Sequence, residues 1–262
     1  MSSAPAVPSW TGVALSVILV VLAAVVAWRS RLGLVREIVV ASVRAAVQLI
    51  AVGALLLVLF KHAHVPGALA WVAVMVLIAG QVAGRRGRGV PGARTVATYS
   101  VGMGVAATLG LLLISHVVPV EPRVVVPVGG MVVSGSMQAS ALVLLRLREQ
   151  AETARPQVEA RLALGLSAKD AMAPLQRSAL RAAMLPSIDN TKVVGLISLP
   201  GAMTGLILAG VTPLTAIRYQ VVVMYMLLAA AALTGVATSL LAYRQLVDEA
   251  QRLKPLVPVG AS

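Results

Sequence analysis

Seven apolar stretches, at about 8–28, 38–60, 66–84, 95–118, 124–144, 186–210 and 219–242, constrain this chain more than any other feature. Each reaches the roughly 20 residues that an α-helix needs to cross the hydrocarbon of a bilayer. Only helices and closed barrels satisfy their own backbone there. The apolar residues are Val, Leu, Ala and Ile, with 3% aromatics, and they stand in blocks rather than at the period of a soluble core. With 59% hydrophobic and 12% charged residues and a mean hydropathy of +0.92, the bilayer is the natural solvent. The expected fold is an all-α, polytopic membrane helix bundle of about seven transmembrane helices, one permease-like domain over 1–262. The first block lacks a positive n-region and a small-residue cleavage site, so it reads as a retained helix.

The formal charge of +13 invites a nucleic-acid reading, yet the basic residues have almost no aromatic partners and alternate with apolar runs. No nucleic-acid partner is expected; lipid is. Basic residues are retained on the cytoplasmic side of a membrane. One set of alternate loops holds seventeen of the 22: Arg29, Arg31, Arg36; Arg85, Arg86, Arg88, Arg94; seven from Arg146 to Arg181; and Arg244, Arg252, Lys254. The other set holds Lys61, Arg123 and Arg218, while Arg44 and Lys192 fall within apolar segments or at their margins. The bias predicts an external amino terminus and a cytoplasmic carboxyl terminus. The long polar interval 145–185 is then cytoplasmic, with helical stretches broken at Pro156, Gly165 and Pro174. The last dozen residues, with Pro255, Pro258 and Gly260, read as a frayed tail. Cysteine is absent, which excludes disulfides and thiolate chemistry.

Nothing matches the phosphate-cradling pattern G-x-x-x-x-G-K-[ST], so any ATP would be bound by a partner subunit and the chain itself needs no cofactor. The cluster Gly84-Arg85-Arg86-Gly87-Arg88-Gly89 reads as a charged loop between spans rather than a phosphate nest. In the cytoplasmic interval, Glu159-Ala160-Arg161-Leu162-Ala163-Leu164-Gly165 has the E-A-A-x-x-x-G spacing of ABC importer docking loops, with Arg161 in place of the second alanine. A short helix followed by a glycine turn offers a compact knob to a cleft on another protein. Glu159, Ala160 and Gly165 are the candidate ATPase-docking residues.

Longer strings carry a family likeness. They are Arg181-Ala182-Ala183-Met184-Leu185-Pro186-Ser187-Ile188-Asp189-Asn190-Thr191-Lys192, Leu199-Pro200-Gly201-Ala202-Met203-Thr204-Gly205, Ala209-Gly210-Val211-Thr212-Pro213 and Ala216-Ile217-Arg218-Tyr219-Gln220. Arg44-Ala45-Ala46-Val47-Gln48 and Pro127-Val128-Gly129-Gly130-Met131 add to them. Together they resemble the iron-export permeases of the FetB type, a family that also holds plant aluminium-tolerance permeases. The resemblance implies a homodimeric permease driven by a separate cytosolic ABC ATPase, exporting iron or another solute, in a bacterial inner membrane. Ser134-Gly135-Ser136-Met137 and Ala202 depart from the expected runs and remove potential ligand atoms.

Polar residues inside apolar segments mark a candidate translocation path, because an unpaired charge in hydrocarbon costs several kcal/mol. Arg44 and Gln48 share a helix face, with Glu37 as a possible ion-pair partner for Arg44. Asp189 and Lys192 are one turn apart and can pair or gate. Pro200-Gly201 should break or kink the sixth span, freeing carbonyls that are tolerated where they line a cavity. Ser134, Met137 and Met203 complete the candidate path. Met131, Met137 and Met203 are the weak metal-ligand candidates, their thioethers suiting soft metals. His62 and His64 lack a third ligand nearby. Gly102, Gly104, Gly110, Gly129 and Gly130 read as sites of close helix packing. The alternative function, an ATP-independent channel or secondary transporter, would use embedded acids, and only Glu37 and Asp189 are candidates. No catalytic set can be assembled, so the chain is not expected to be an enzyme.

Overall fold

A computed structural model describes residues 9–62, 64–248, 250 and 252–254; the tail prolines and Gly260 lie outside them. Among the described residues the chain is helical: α1 (Trp10–Arg29), α2 (Val35–His62), α3 (Val65–Arg86), α4 (Ala93–Ile114), α5 (Pro122–Thr153), α6 (Arg155–Ala163), α7 (Ala168–Val193), α8 (Gly201–Leu208) and α9 (Pro213–Leu246). Six, α1 to α5 and α9, are long and apolar enough to cross a membrane. The protein is a polytopic helical membrane bundle.

Local chemistry sets the helix starts. Ser9 Oγ accepts from the Gly12 amide at 3.2 Å and caps α1. Prolines open α3, α5 and α6, where the missing amide has no intrahelical partner to lose. Ser167 caps α7, accepting from the Asp170 amide at 3.2 Å while its hydroxyl donates to the Asp170 carboxylate at 2.6 Å. In the polar interval Pro156 and Gly165 delimit α6, as expected. Pro174 does not break the chain: it is held in the second turn of α7, at the cost of one backbone bond.

The apolar segment 186–210 is not a single rod. α7 starts in the polar interval and ends at Val193; Gly195 then turns the backbone at φ +82°, and its amide donates to the Ser198 carbonyl at 2.9 Å. Pro200 disfavours helix at Leu199, so α8 begins only at Gly201. Pro200 and Gly201 therefore head a new helix instead of kinking an existing one.

The described residues form two compact units. In the first, the described residues of Met1–Ala63 with Gly205–Thr212, α1 and α2 pack on each other and leave Leu15, Ile18, Leu19 and Leu22 about 60% exposed or more. Such aliphatic faces suit contact with lipid. A cavity of 620 Å³ between α1 and α2 is aliphatic apart from Ser16, Ser42 and the Trp28 ring.

The second unit holds α3, α4, α5, α6, α7 and α9. α3 packs on α4 and α5, α9 on α4 and α5, and α7 on α5 and α9. Gly80 and Gly84, one helical turn apart on α3, let α4 approach until a Cβ at Gly80 would collide with the Thr98 Cα and one at Gly84 with the Arg94 Cα. Gly104 of α4 meets the Thr234 hydroxyl of α9 in the same way. The core of buried residues joins one end of the bundle, where Leu144, Leu147, Val158, Met172, Leu246 and Leu253 converge. Arg155 at the start of α6 donates to the Leu253 carbonyl at 3.3 Å, so α9 ends beside α6. A helix of 34 residues rises about 50 Å, and α9 must begin at the opposite end.

Candidate functional site

Between α5, α7 and α9 lies a cavity of 270 Å³ in which hydroxyl and amide side chains make up half of the lining residues. From α5 come Met131, Ser134, Gly135 and Gln138; from α7, Ser187, Asn190 and Thr191; from α9, Met224, Leu227 and Leu228. The spacings explain the convergence. Ser134 and Gln138 are one turn apart, as are Ser187 and Thr191, so each pair shares a face. The Gln138 amide donates to Ser134 Oγ at 3.4 Å, and Thr191 Oγ1 donates to the Ser187 carbonyl at 2.7 Å. Hydroxyl lone pairs and the Asn190 amide stay available to a guest. No ionisable side chain lines the cavity. A cavity of 600 Å³ between α3 and α4 is larger but wholly aliphatic, which suits acyl chains rather than a polar cargo.

The residues expected on a path fall in several places. Ser134 and Met131 line the cavity, whereas Met137 packs against the buried core cluster and Met203 is buried in α8. The three methionines named as metal candidates therefore do not meet in this cavity, and Met224 joins Met131 there instead. Asp189 and Lys192 form an exposed ion pair at 3.2 Å on the turn that presents Asn190 and Thr191. Arg44 and Gln48 are exposed on α2, and no Glu37–Arg44 ion pair forms among the described residues. Met224 had been legible as a thioether near an apolar segment, whereas Gln138, Ser187, Asn190 and Thr191 were missed by the sequence reading. Their signal was a polar stripe at helical spacing on α5 and α7, hidden because 186–210 was read as one apolar span.

At the end of the bundle, α6 buries Val158, packs Leu162 against the core and exposes Gln157, Glu159, Ala160 and Ala163. Glu159 accepts from Arg155 at 2.8 Å, and the Arg161 guanidinium donates to the Ala171 carbonyl at 3.1 Å, which ties α6 to α7. Arg161, the departure from the docking-loop spacing, thus has a structural partner. Gly165 takes φ +86° and leaves Leu164 80% exposed at the tip of the turn. A groove of 510 Å³ separates α6 from the turn after α9; Arg155, Glu159 and Leu162 face Asp248, Arg252 and Lys254 across it. The Arg252 amide, bonded at 2.7 Å, and then its guanidinium hold the Asp248 carboxyl below the usual carboxylate range.

A family model described as "Uncharacterised protein family (UPF0014)" matches residues 10–247. The chain belongs to the UPF0014 family. It is 39% identical over 224 residues to the UPF0014 membrane protein STAR2 of Oryza sativa subsp. japonica, covering 86% of this chain and 79% of that one. It is 34% identical over 240 residues to the "Probable iron export permease protein FetB" of Escherichia coli (strain K12), covering 92% and 93%. It is likewise 34% identical over 241 residues to the protein ALUMINUM SENSITIVE 3 of Arabidopsis thaliana, covering 92% and 88%. No solved structure matches the chain significantly. This UPF0014 member is an integral membrane permease, and the FetB-type resemblance read from its Leu-Pro-Gly-x-Met-Thr-Gly string is a true kinship.

Proposed function

We propose that this UPF0014 member is the membrane-spanning subunit of an ABC-type exporter, moving a metal ion out of the cytoplasm with energy from a separate ATPase. The observation that carries the reading is the polar cavity between α5, α7 and α9. Hydroxyls in membrane helices commonly bond a neighbouring helix, as Thr238 does Ser140 at 3.0 Å, but five hydroxyl and amide side chains facing one void support a polar path. The helix break at Gly195, four residues after Thr191, is of the kind that transport proteins use. Iron is the cargo named for the FetB relative, which supports a metal-ion cargo here. The outward α6 and its Leu164–Gly165 tip supply a docking knob, and two copies of the permease would give one knob to each of two ATPase subunits.

Purified alone, the chain should hydrolyse no ATP. Reconstituted in vesicles with its P-loop ATPase, it should move ferrous iron only when ATP is present on the ATPase side. Iron movement by the permease alone at the same rate would refute the assignment.

The loop-charge bias makes a second prediction. Reporter fusions after Arg88 and Arg177 should read as cytoplasmic, and fusions near His64, Pro122 and Thr212 as external. An external signal from the interval 145–185 would invert the docking scheme.

A further inference from the structure

We propose that the cavity recognises a metal cargo through the cargo's own ligand shell, by hydrogen bonds to bound water or oxygen ligands, and not by direct coordination. This rests on the metal-export reading above. Three observations carry it. The lining offers only hydroxyls, amides and two thioethers, and among the described residues no group of three His, Cys, Asp or Glu side chains is placed to hold a metal. Amide and hydroxyl oxygens also ligate hard cations, but protein sites that strip a divalent cation of its water include carboxylates, and this lining has none. The nearest charges along the chain, Asp189 and Lys192, already pair with each other at 3.2 Å and cancel.

Size and electrostatics agree. At about 30 Å³ per water, a shell of six needs about 180 Å³, and the cavity provides 270 Å³. A bare ion would leave most of that space without contact. The self-energy of an ion varies inversely with the radius of the charged body, so retaining the first shell roughly halves the cost of entering a site without counter-charge. The side chains present are suited to that shell. Ser134, Ser187 and Thr191 each carry acceptor lone pairs, and Gln138 and Asn190 each carry an amide oxygen, with which to bond the outward-pointing hydrogens of coordinated water. Amide and hydroxyl groups also donate, so a shell of oxygen ligands is bonded by the same set.

Hexaamminecobalt(III) separates this from direct coordination, because its six ammine ligands do not exchange and its outer surface presents only N–H donors. In calorimetric titrations of the purified permease in detergent, it should compete with ferrous iron for one site. Gln138→Leu and Asn190→Leu should each weaken both ligands by about tenfold, the equivalent of one hydrogen bond to a charged shell. Met131→Leu combined with Met224→Leu should change both affinities by the same factor, since neither ligand meets a sulfur. Unchanged elution and melting of the variants will show that they are folded. The proposal is overturned if ferrous iron binds and the inert complex does not compete, or if the methionine variant selectively loses iron. A permease that binds neither ion overturns it too; ATP-driven movement of another solute by the full complex would then preserve the exporter reading with a different cargo.

Discussion

Gly84→Val should lower the melting temperature of the detergent-solubilised permease by roughly 10 °C and deplete the protein from membranes. At this position a Cβ meets the Arg94 backbone, its Cα and also its amide nitrogen at 2.8 Å, so the neighbour cannot swing aside as a side-chain tip would. α3 and α4 must separate along the seam that Gly80 and Gly84 define. Overpacking of this kind costs about 3 kcal/mol at the upper end of its usual range, and each kcal/mol shifts the midpoint of a chain this size by about 2–4 °C. Gly110→Val is the matched control: it too is a helix-interior glycine, on α4, but a Cβ there meets nothing within 4 Å. Equal melting of the two variants would show that the α3–α4 seam does not require its glycines.

The second large effect concerns coupling. If the proposed ATPase docks at this turn, Gly165→Val should reduce its co-purification by about tenfold or more and abolish transport, while the spans stay folded. The turn needs φ +86°, a region that costs an L-residue about 1–2 kcal/mol and a β-branched one more, so the turn must open and the exposed Leu164 moves with it. Gly165 itself has no neighbour within 4 Å of a Cβ, which confines the damage to the backbone of the turn. Gly165→Asn should restore most of the binding, because Asn tolerates the left-handed region. If valine and asparagine behave alike, the shape of this turn is not what the ATPase grips.

Much of this was legible in the chain. The first four apolar blocks became helices close to their expected limits, and the fifth and the last became longer ones, running on to Thr153 and starting back at Pro213, because burying backbone in hydrocarbon leaves an apolar run no other option. The positions of Pro156 and Gly165 were legible as well, one lacking an amide and the other free to take positive φ. The segment 186–210 was not. Its composition averages to apolar, and averaging hides that Ser187, Asn190 and Thr191 fall on one face while Gly195 turns the chain a residue after α7 has ended.

The sequence by itself determined the solvent, the class of fold, the absence of a phosphate-binding loop and the kinship with iron-export permeases. These depend on local composition and on strings of neighbouring residues. Only the tertiary structure decided which polar residues meet. Ser134 and Asn190 are more than fifty positions apart and share a cavity because α5 and α7 meet there, while Met137, one turn from Ser134 on the same helix, packs against the core cluster instead. Helical spacing fixes which residues share a face, but the partner of that face is set by long-range packing, here by glycine seams and by the segment after α9, whose Leu253 returns to α6.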